Sequence, residues 1–148
     1  MAARTQYGAL CWRMHAARPE VLLITSRDTG RWVIPKGWPM EALSAAEAAA
    51  REAWEEAGAE GAPSEPSLGF FAYRKGLGPQ KVVPCVVEVF ALRVERLASS
   101  YPEKGQRRRK WFSPEKAAKR VQEPDLRQLI LAFAPEKVKT AAAQPAKD

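Results

Sequence analysis

Glu52, Glu55 and Glu56 are three carboxylates set three and four residues apart, a spacing that stacks side chains on one face of an α-helix. Like charges held that close repel one another unless cations lie between them. The pattern therefore points to a divalent-cation site and to the phosphate chemistry that such ions assist. The plainer reading is a solvated acidic face supported by intrahelical pairs such as Glu47 with Arg51. That reading must also account for what precedes the helix.

From Ser44 to Ala57 the chain is almost entirely Ala, Glu, Arg and Trp, mostly strong to fair helix formers. Ser44 followed by Glu47 predicts a capping box, and Gly58 a left-handed stop. Ala45, Ala48, Ala49 and Ala53 offer a small-residue face on which a sheet can pack closely. Ahead of the helix, Arg31-Trp32-Val33-Ile34 reads as a strand, followed by Pro35-Lys36-Gly37-Trp38-Pro39. A glycine flanked by prolines fixes a turn, and a backbone carbonyl at Lys36 or Gly37 suits a hard cation as well as a carboxylate does. Strand, turn and acidic helix thus form one unit.

That unit resembles the signature of the Nudix hydrolases, G-x5-E-x7-R-E-U-x-E-E-x-G-U, where U is a bulky apolar residue. Gly37, Arg51, Glu52, Glu55, Glu56 and Gly58 fall on its fixed positions, while Ala53 and Ala59 fill the U positions with smaller residues. Leu43 departs, standing where the pattern has its first glutamate. The resemblance implies an α/β/α sandwich with a mixed sheet and a pyrophosphohydrolase that needs Mg²⁺ or Mn²⁺, with two or more ions. It implies that Glu52, Glu55 and Glu56, with a carbonyl of Lys36 or Gly37, hold the ions. Glu52, Glu55 and Arg51 are the implied catalytic residues, Arg51 by orienting a glutamate. The base is Glu52 or a residue outside the signature. Leu43 bears on the geometry of the loop and of Arg51 more than on metal binding, and Glu47 or Glu41 is near enough in sequence to substitute for the missing carboxylate.

At 148 residues and 46% hydrophobic content the chain can bury one core. Residues 1–134 are expected to form one domain and 135–148, rich in Lys, Ala, Gln and Pro, a flexible tail. Cys11 and Cys85 sit in separate apolar strand-like runs and read as reduced core residues of a cytoplasmic protein. The N-terminus has no apolar signal region and no run reaches the length of a membrane span, so neither secretion nor membrane insertion is expected. The net charge of +7 is uneven: residues 1–60 carry 7 Lys and Arg against 8 Asp and Glu, and residues 61–148 carry 17 against 9. A basic remainder around a cation site suits a polyphosphate.

Around the helix, strands are predicted over 6–15, 21–26, 68–74, 82–94 and 109–112, with a turn-like break at 16–20 and helices over 114–121 and 124–133. Pro84 inside a strand predicts an edge position or a bulge. Over Tyr7 to about Ala118 the chain is most similar to the Nudix branch that includes diphosphoinositol polyphosphate and diadenosine polyphosphate hydrolases. In that branch a basic residue after the second strand and a basic stretch before a Trp-Phe pair contact phosphates. The resemblance thus nominates Arg27, Arg107, Arg109 and Lys110, with Lys81 a further candidate. Glu88 and Glu103 are candidate ligands or bases, Trp32, Trp38 and Trp111 core or stacking residues, and His15 has no metal-spaced partner. Two other readings stay open: a non-catalytic module that binds a nucleotide or polyphosphate, and an enzyme acting on RNA 5′ ends or a nucleic-acid binder, motivated by Arg107–Lys110 and the pI of about 9.7.

Overall fold

The computed structural model describes residues 2–135. Its elements run β1 (Arg4–His15), β2 (Arg18–Thr25), β3 (Trp32–Val33), β4 (Lys36–Gly37), α1 (Ala45–Ala57), β5 (Ala59–Glu60), β6 (Gly69–Gly76), β7 (Val82–Arg93), β8 (Arg96–Leu97), β9 (Arg109–Phe112), α2 (Pro114–Arg120) and α3 (Pro124–Ala132). Seven strands make one mixed sheet in the order β3-β2-β1-β7-β6, with β4 also on β1 and β9 also on β2. The parallel pair at its centre, β1 with β7, holds register from Arg4 opposite Cys85 to Trp12 opposite Arg93. The expected flexible tail lies almost wholly outside the described residues. Within them, no helix is long and apolar enough to cross a membrane.

Helices cover both faces of the sheet, and the strands are apolar on both faces as a result. Along β1, Ala9 and Cys11 pack with Leu22, Ile24 and the alanines of α1, whereas Leu10 and Trp12 pack with Phe71, Val87 and the residues of α2 and α3. Ala46, Ala49, Ala53 and Ala57 give α1 a side that meets the sheet with no long side chain between them. Ala45, expected on that face, packs against the same cluster and is half-buried. Both cysteines are buried and free, and burial pushes the Cys11 thiol up to about 12, which suits an inert core residue.

Two boundaries differ from the sequence reading for physical reasons, and one expectation holds. The break at 16–20 shrinks to Ala16-Ala17, both at positive φ (53° and 65°), which matches the twist of a two-residue hairpin and lets Arg18 pair with His15. β1 starts at Arg4 because its parallel partner reaches that far. Pro84 lies in a central strand, but β7 is paired only with β6 at that point, since pairing with β1 begins at Cys85, so the expected edge position holds locally.

Candidate active site

The acidic helix is fixed at both ends. Ser44 and Glu47 form the capping box, with the Glu47 N–H donating to Ser44 Oγ at 3.1 Å and the Ser44 N–H to Glu47 Oε1 at 2.8 Å. Gly58 ends the helix at φ 67°, where a side chain would be strained, and its N–H donates to the Trp54 carbonyl at 2.9 Å. Engaged in the cap, Glu47 does not pair with Arg51. Arg51 donates instead to Glu55 at 2.9 Å, across one helical turn and on an exposed surface. The remaining pair, Glu52 and Glu56, faces inward.

Glu52 lies against the β4 turn, where a Cβ on residue 37 would land on its carboxylate. This close approach is what makes Gly37 necessary. The Lys36 N–H reaches Glu56 Oε1 at 3.3 Å, and the Glu52 and Glu56 carboxyl groups lie side by side. Burial, followed by the hydrogen bond and charge of Glu56, pushes Glu52 up to about 8, and burial raises Glu56 as well, against the pull of Arg107 and Lys36.

Residues 98–108 close the site from above. The Ala98 N–H donates to the Gly58 carbonyl at 2.8 Å and the Glu103 N–H to the Glu55 carbonyl at 3.0 Å, pinning this loop to the end of α1. The loop delivers Arg107, 10% exposed, whose guanidinium donates to Glu103 Oε1 at 2.9 Å and to the Thr25 carbonyl at 3.3 Å, with Nη2 3.8 Å from Glu56. Arg27 joins from the end of β2 through Gln106 at 3.0 Å and Glu103 at 3.9 Å. These groups share a cavity of about 320 Å³, lined almost wholly by polar atoms, with Lys36, Trp38, Tyr73 and Lys75 in its walls.

Glu52, Glu56, Gly37, Lys36, Arg27 and Arg107 are therefore brought together. Glu55 and Arg51 pair with each other outside the cavity lining. Arg109 is used elsewhere: it donates to the Ala57 carbonyl at 2.7 Å from beneath the end of α1, with its guanidinium 4.9 Å from the Tyr101 ring. Lys110 sits 5.4 Å from the Phe112 ring, and Lys81 ends the loop before β7; neither lines the cavity. Glu88, His15 and Trp111 also lie outside it, Trp111 beneath the Arg13 guanidinium at 4.2 Å. Gln6, Tyr73 and Lys75 enter from strands that carry no recognisable motif. The one hint in the sequence is Gln6, a polar residue at the head of an apolar run.

Among the described residues no three Cys, His, Asp or Glu side chains are gathered closely enough to enclose a metal unaided. The donors nonetheless fit a hard divalent ion. Two neighbouring carboxyl groups, Glu56 buried and Glu52 half-buried, raise each other's proton affinity, a strain that a cation would relieve, and Glu52 lies against a glycine backbone with no side chain in the way.

The family model for the NUDIX domain matches residues 4–133. Among curated proteins the chain is 34% identical over 101 residues to Nudix hydrolase 12, mitochondrial, of Arabidopsis thaliana, covering 66% of this chain and 50% of that one. It is 30% identical over 115 residues to Nudix hydrolase 16, mitochondrial, of the same organism, covering 76% and 63%. The chain thus spans between half and two thirds of the length of these relatives. Among solved structures, a C. elegans Ap4A hydrolase superposes with a TM-score of 0.65 at 20% identity, over 92% of this chain and 99% of that one. The NUDIX domain of Shewanella oneidensis NrtR complexed with ADP ribose superposes with a TM-score of 0.63 at 17% identity, over 88% and 86%. At these identities the two likenesses speak to the fold.

Proposed function

Because the chain belongs to the Nudix family, we propose that it is a divalent-metal-dependent hydrolase that cleaves a phosphoanhydride in a nucleoside diphosphate linked to another group. Dinucleoside polyphosphates and diphosphoinositol polyphosphates are the substrate classes to which the reading points. The observation that carries it is the Glu52–Glu56 pair, the first half-buried against Gly37 and the second buried, faced by Arg107 across a polar cavity.

Glu52 and Glu56 are the residues that would hold Mg²⁺ or Mn²⁺, with a carbonyl of the β4 turn beside them. When bound there, such an ion neutralises phosphate charge and lowers the pKa of the attacking water. The chain's own groups supply the rest. Arg107, held rigid by Glu103 and the Thr25 carbonyl, aims at the oxygens of a phosphate lying over Glu56, and Arg27 extends that positive wall. The base that takes the water's proton is Glu52 or a carboxylate outside the signature. Arg51 and Glu55, one turn apart at the helix surface, keep each other extended and act on the site only through the helix.

The test is a hydrolysis screen across dinucleoside polyphosphates, diphosphoinositol polyphosphates, nucleoside triphosphates and ADP-sugars in Mg²⁺ and in Mn²⁺. Turnover of at least one class is expected, falling by roughly two to three orders of magnitude in Glu56→Gln. Silence from every class with both metals would overturn the hydrolase reading.

A further inference from the structure

β6 is an edge of the sheet, paired on one side only, with β7. The ladder runs on to Leu77, whose N–H donates to the Lys81 carbonyl at 2.9 Å. Alternation then turns the backbone groups of Phe71, Tyr73 and Lys75 towards β7 as well, and those of Phe70, Ala72 and Arg74 outward from the edge. Among the described residues no other backbone segment bonds to these outward groups.

The side chains at this edge are as unmatched as its backbone. Phe71 packs with the core beneath α2 and α3, so Phe70, Ala72 and Arg74 project from the opposite face, the one that α1 covers. α1 reaches Phe90 and Leu92 at the far end of β7 but leaves this corner bare, with Phe70 55% exposed and Ala72 and Arg74 exposed beside it. Proteins ordinarily blunt such an edge with charge, a bulge or proline. Here Lys75 turns into the cavity, and Arg74 alone stands guard. The neighbour of Phe70 on β7 is Glu88, and that of Arg74 is Pro84. Arg74 and Glu88 thus stand about 13 Å apart along the strands, too far to meet within one chain, and neither forms an ion pair among the described residues.

We propose that β6 is a self-pairing edge: two copies of this chain join antiparallel along it, about a two-fold axis at Ala72. The small Ala72 side chains then meet at the axis, and the outward backbone groups of Phe70, Ala72 and Arg74 find partners in Arg74, Ala72 and Phe70 of the second copy. Arg74 falls opposite the second copy's Phe70, with Glu88 of that copy next in the same row. Its guanidinium gains an aromatic face and a carboxylate at once, and the two-fold axis repeats the contact. Other registers lose this match. Centring on Arg74 opposes the two guanidinium groups, and centring on Phe70 sets Arg74 against Pro66, which has no N–H. A shift of one residue either way sets Arg74 against Leu68 or Ala72, away from both ring and carboxylate. An interface built on one strand is small, so the dimer is weak and concentration-dependent.

The test is sedimentation velocity of the full chain from about 5 to 500 µM, on wild type, Arg74→Glu, Glu88→Arg and the double variant Arg74→Glu/Glu88→Arg. A wild-type dimer with a Kd of about 10 to 100 µM is expected. Each single variant should weaken it about tenfold or more, and the double variant should return to within about threefold of wild type, because the axis sets residue 74 of each copy against residue 88 of the other. Amide exchange on wild type alone gives a second measure that needs no variant. The Phe70, Ala72 and Arg74 N–H groups should exchange about tenfold more slowly in the concentrated sample than in the dilute one. A monomer across the whole range, with exchange unchanged by concentration, would overturn self-pairing and leave the edge to a strand of another protein. A dimer indifferent to both single variants, or one that the double variant fails to restore, would overturn it equally.

Discussion

Glu52 holds its proton far more tightly in the fold than in an unfolded chain, and the stability of the protein must record that difference. Its pKa is about 8 when folded against 4.5 for a free glutamate. Between those values the folded protein keeps a proton that the unfolded chain has released. By linkage, this residue's contribution to stability is constant below about 4.5 and declines as pH rises towards about 8. Melting curves in a chelator should therefore show wild type losing stability, relative to Glu52→Gln, as pH climbs from 5 to 8. Saturating Mg²⁺ should raise the Tm more at pH 8 than at pH 5. A wild-type Tm that runs parallel to that of Glu52→Gln across this range would contradict the raised proton affinity of Glu52. Much of this pair was legible beforehand, since helical period alone places residues 52 and 56 on one face. The diversion of Glu55 was less so: it depends on Arg51 turning along the helix, with Glu47 committed to the cap and Leu43 offering no carboxylate.

The elements that present the pair are a capped helix, a glycine turn and a pinned loop. Cap, turn and stop were readable because each is local chemistry: Ser44 with Glu47, Gly37 between prolines, Gly58 at positive φ. Arg109 was read from the same linear run as Arg107; alternation sends Arg108 and Lys110 to the other side, and the step of two residues along the chain carries Arg109 past the cavity to the end of α1. Arg107 enters the cavity, Arg108 lies over Trp32, Arg109 supports α1 and Lys110 lies over Phe112. They do not form one continuous basic face of the kind that an RNA-binding reading would want. Arg109 satisfies a carbonyl at the C-terminal end of α1, where a positive charge also favours the helix dipole. Arg109→Met should lower stability by about 1.5 to 3 kcal/mol. It should reduce kcat with little change in KM, whereas Arg107→Met should raise KM; a rise in KM alone for Arg109→Met would return that residue to substrate binding.

At the scale of the molecule, the sandwich was expected from the resemblance carried by the signature, with which the predicted mixture of strands and helices agrees. The parallel pairing of β1 with β7 was not, because it joins segments some eighty residues apart that no local pattern links. The same holds for the second wall of the cavity, where the Tyr73 hydroxyl meets Gln6 across 67 residues of sequence. Long-range register, not composition, decides which basic residues face the site. The basic run 107–110 is thus divided between helix support, aromatic stacking and the cavity. What unites the molecule is the claim that two carboxylates from one helix hold the cation on which hydrolysis depends. The most direct measurement is an electron paramagnetic resonance titration with Mn²⁺, run beside turnover of the best substrate, on wild type, Glu52→Gln, Glu56→Gln and Glu55→Gln. The expected result is loss of both Mn²⁺ binding and turnover in Glu52→Gln and Glu56→Gln, with Glu55→Gln at least about ten times less impaired. Mn²⁺ binding and turnover that survive in Glu52→Gln and Glu56→Gln would contradict it.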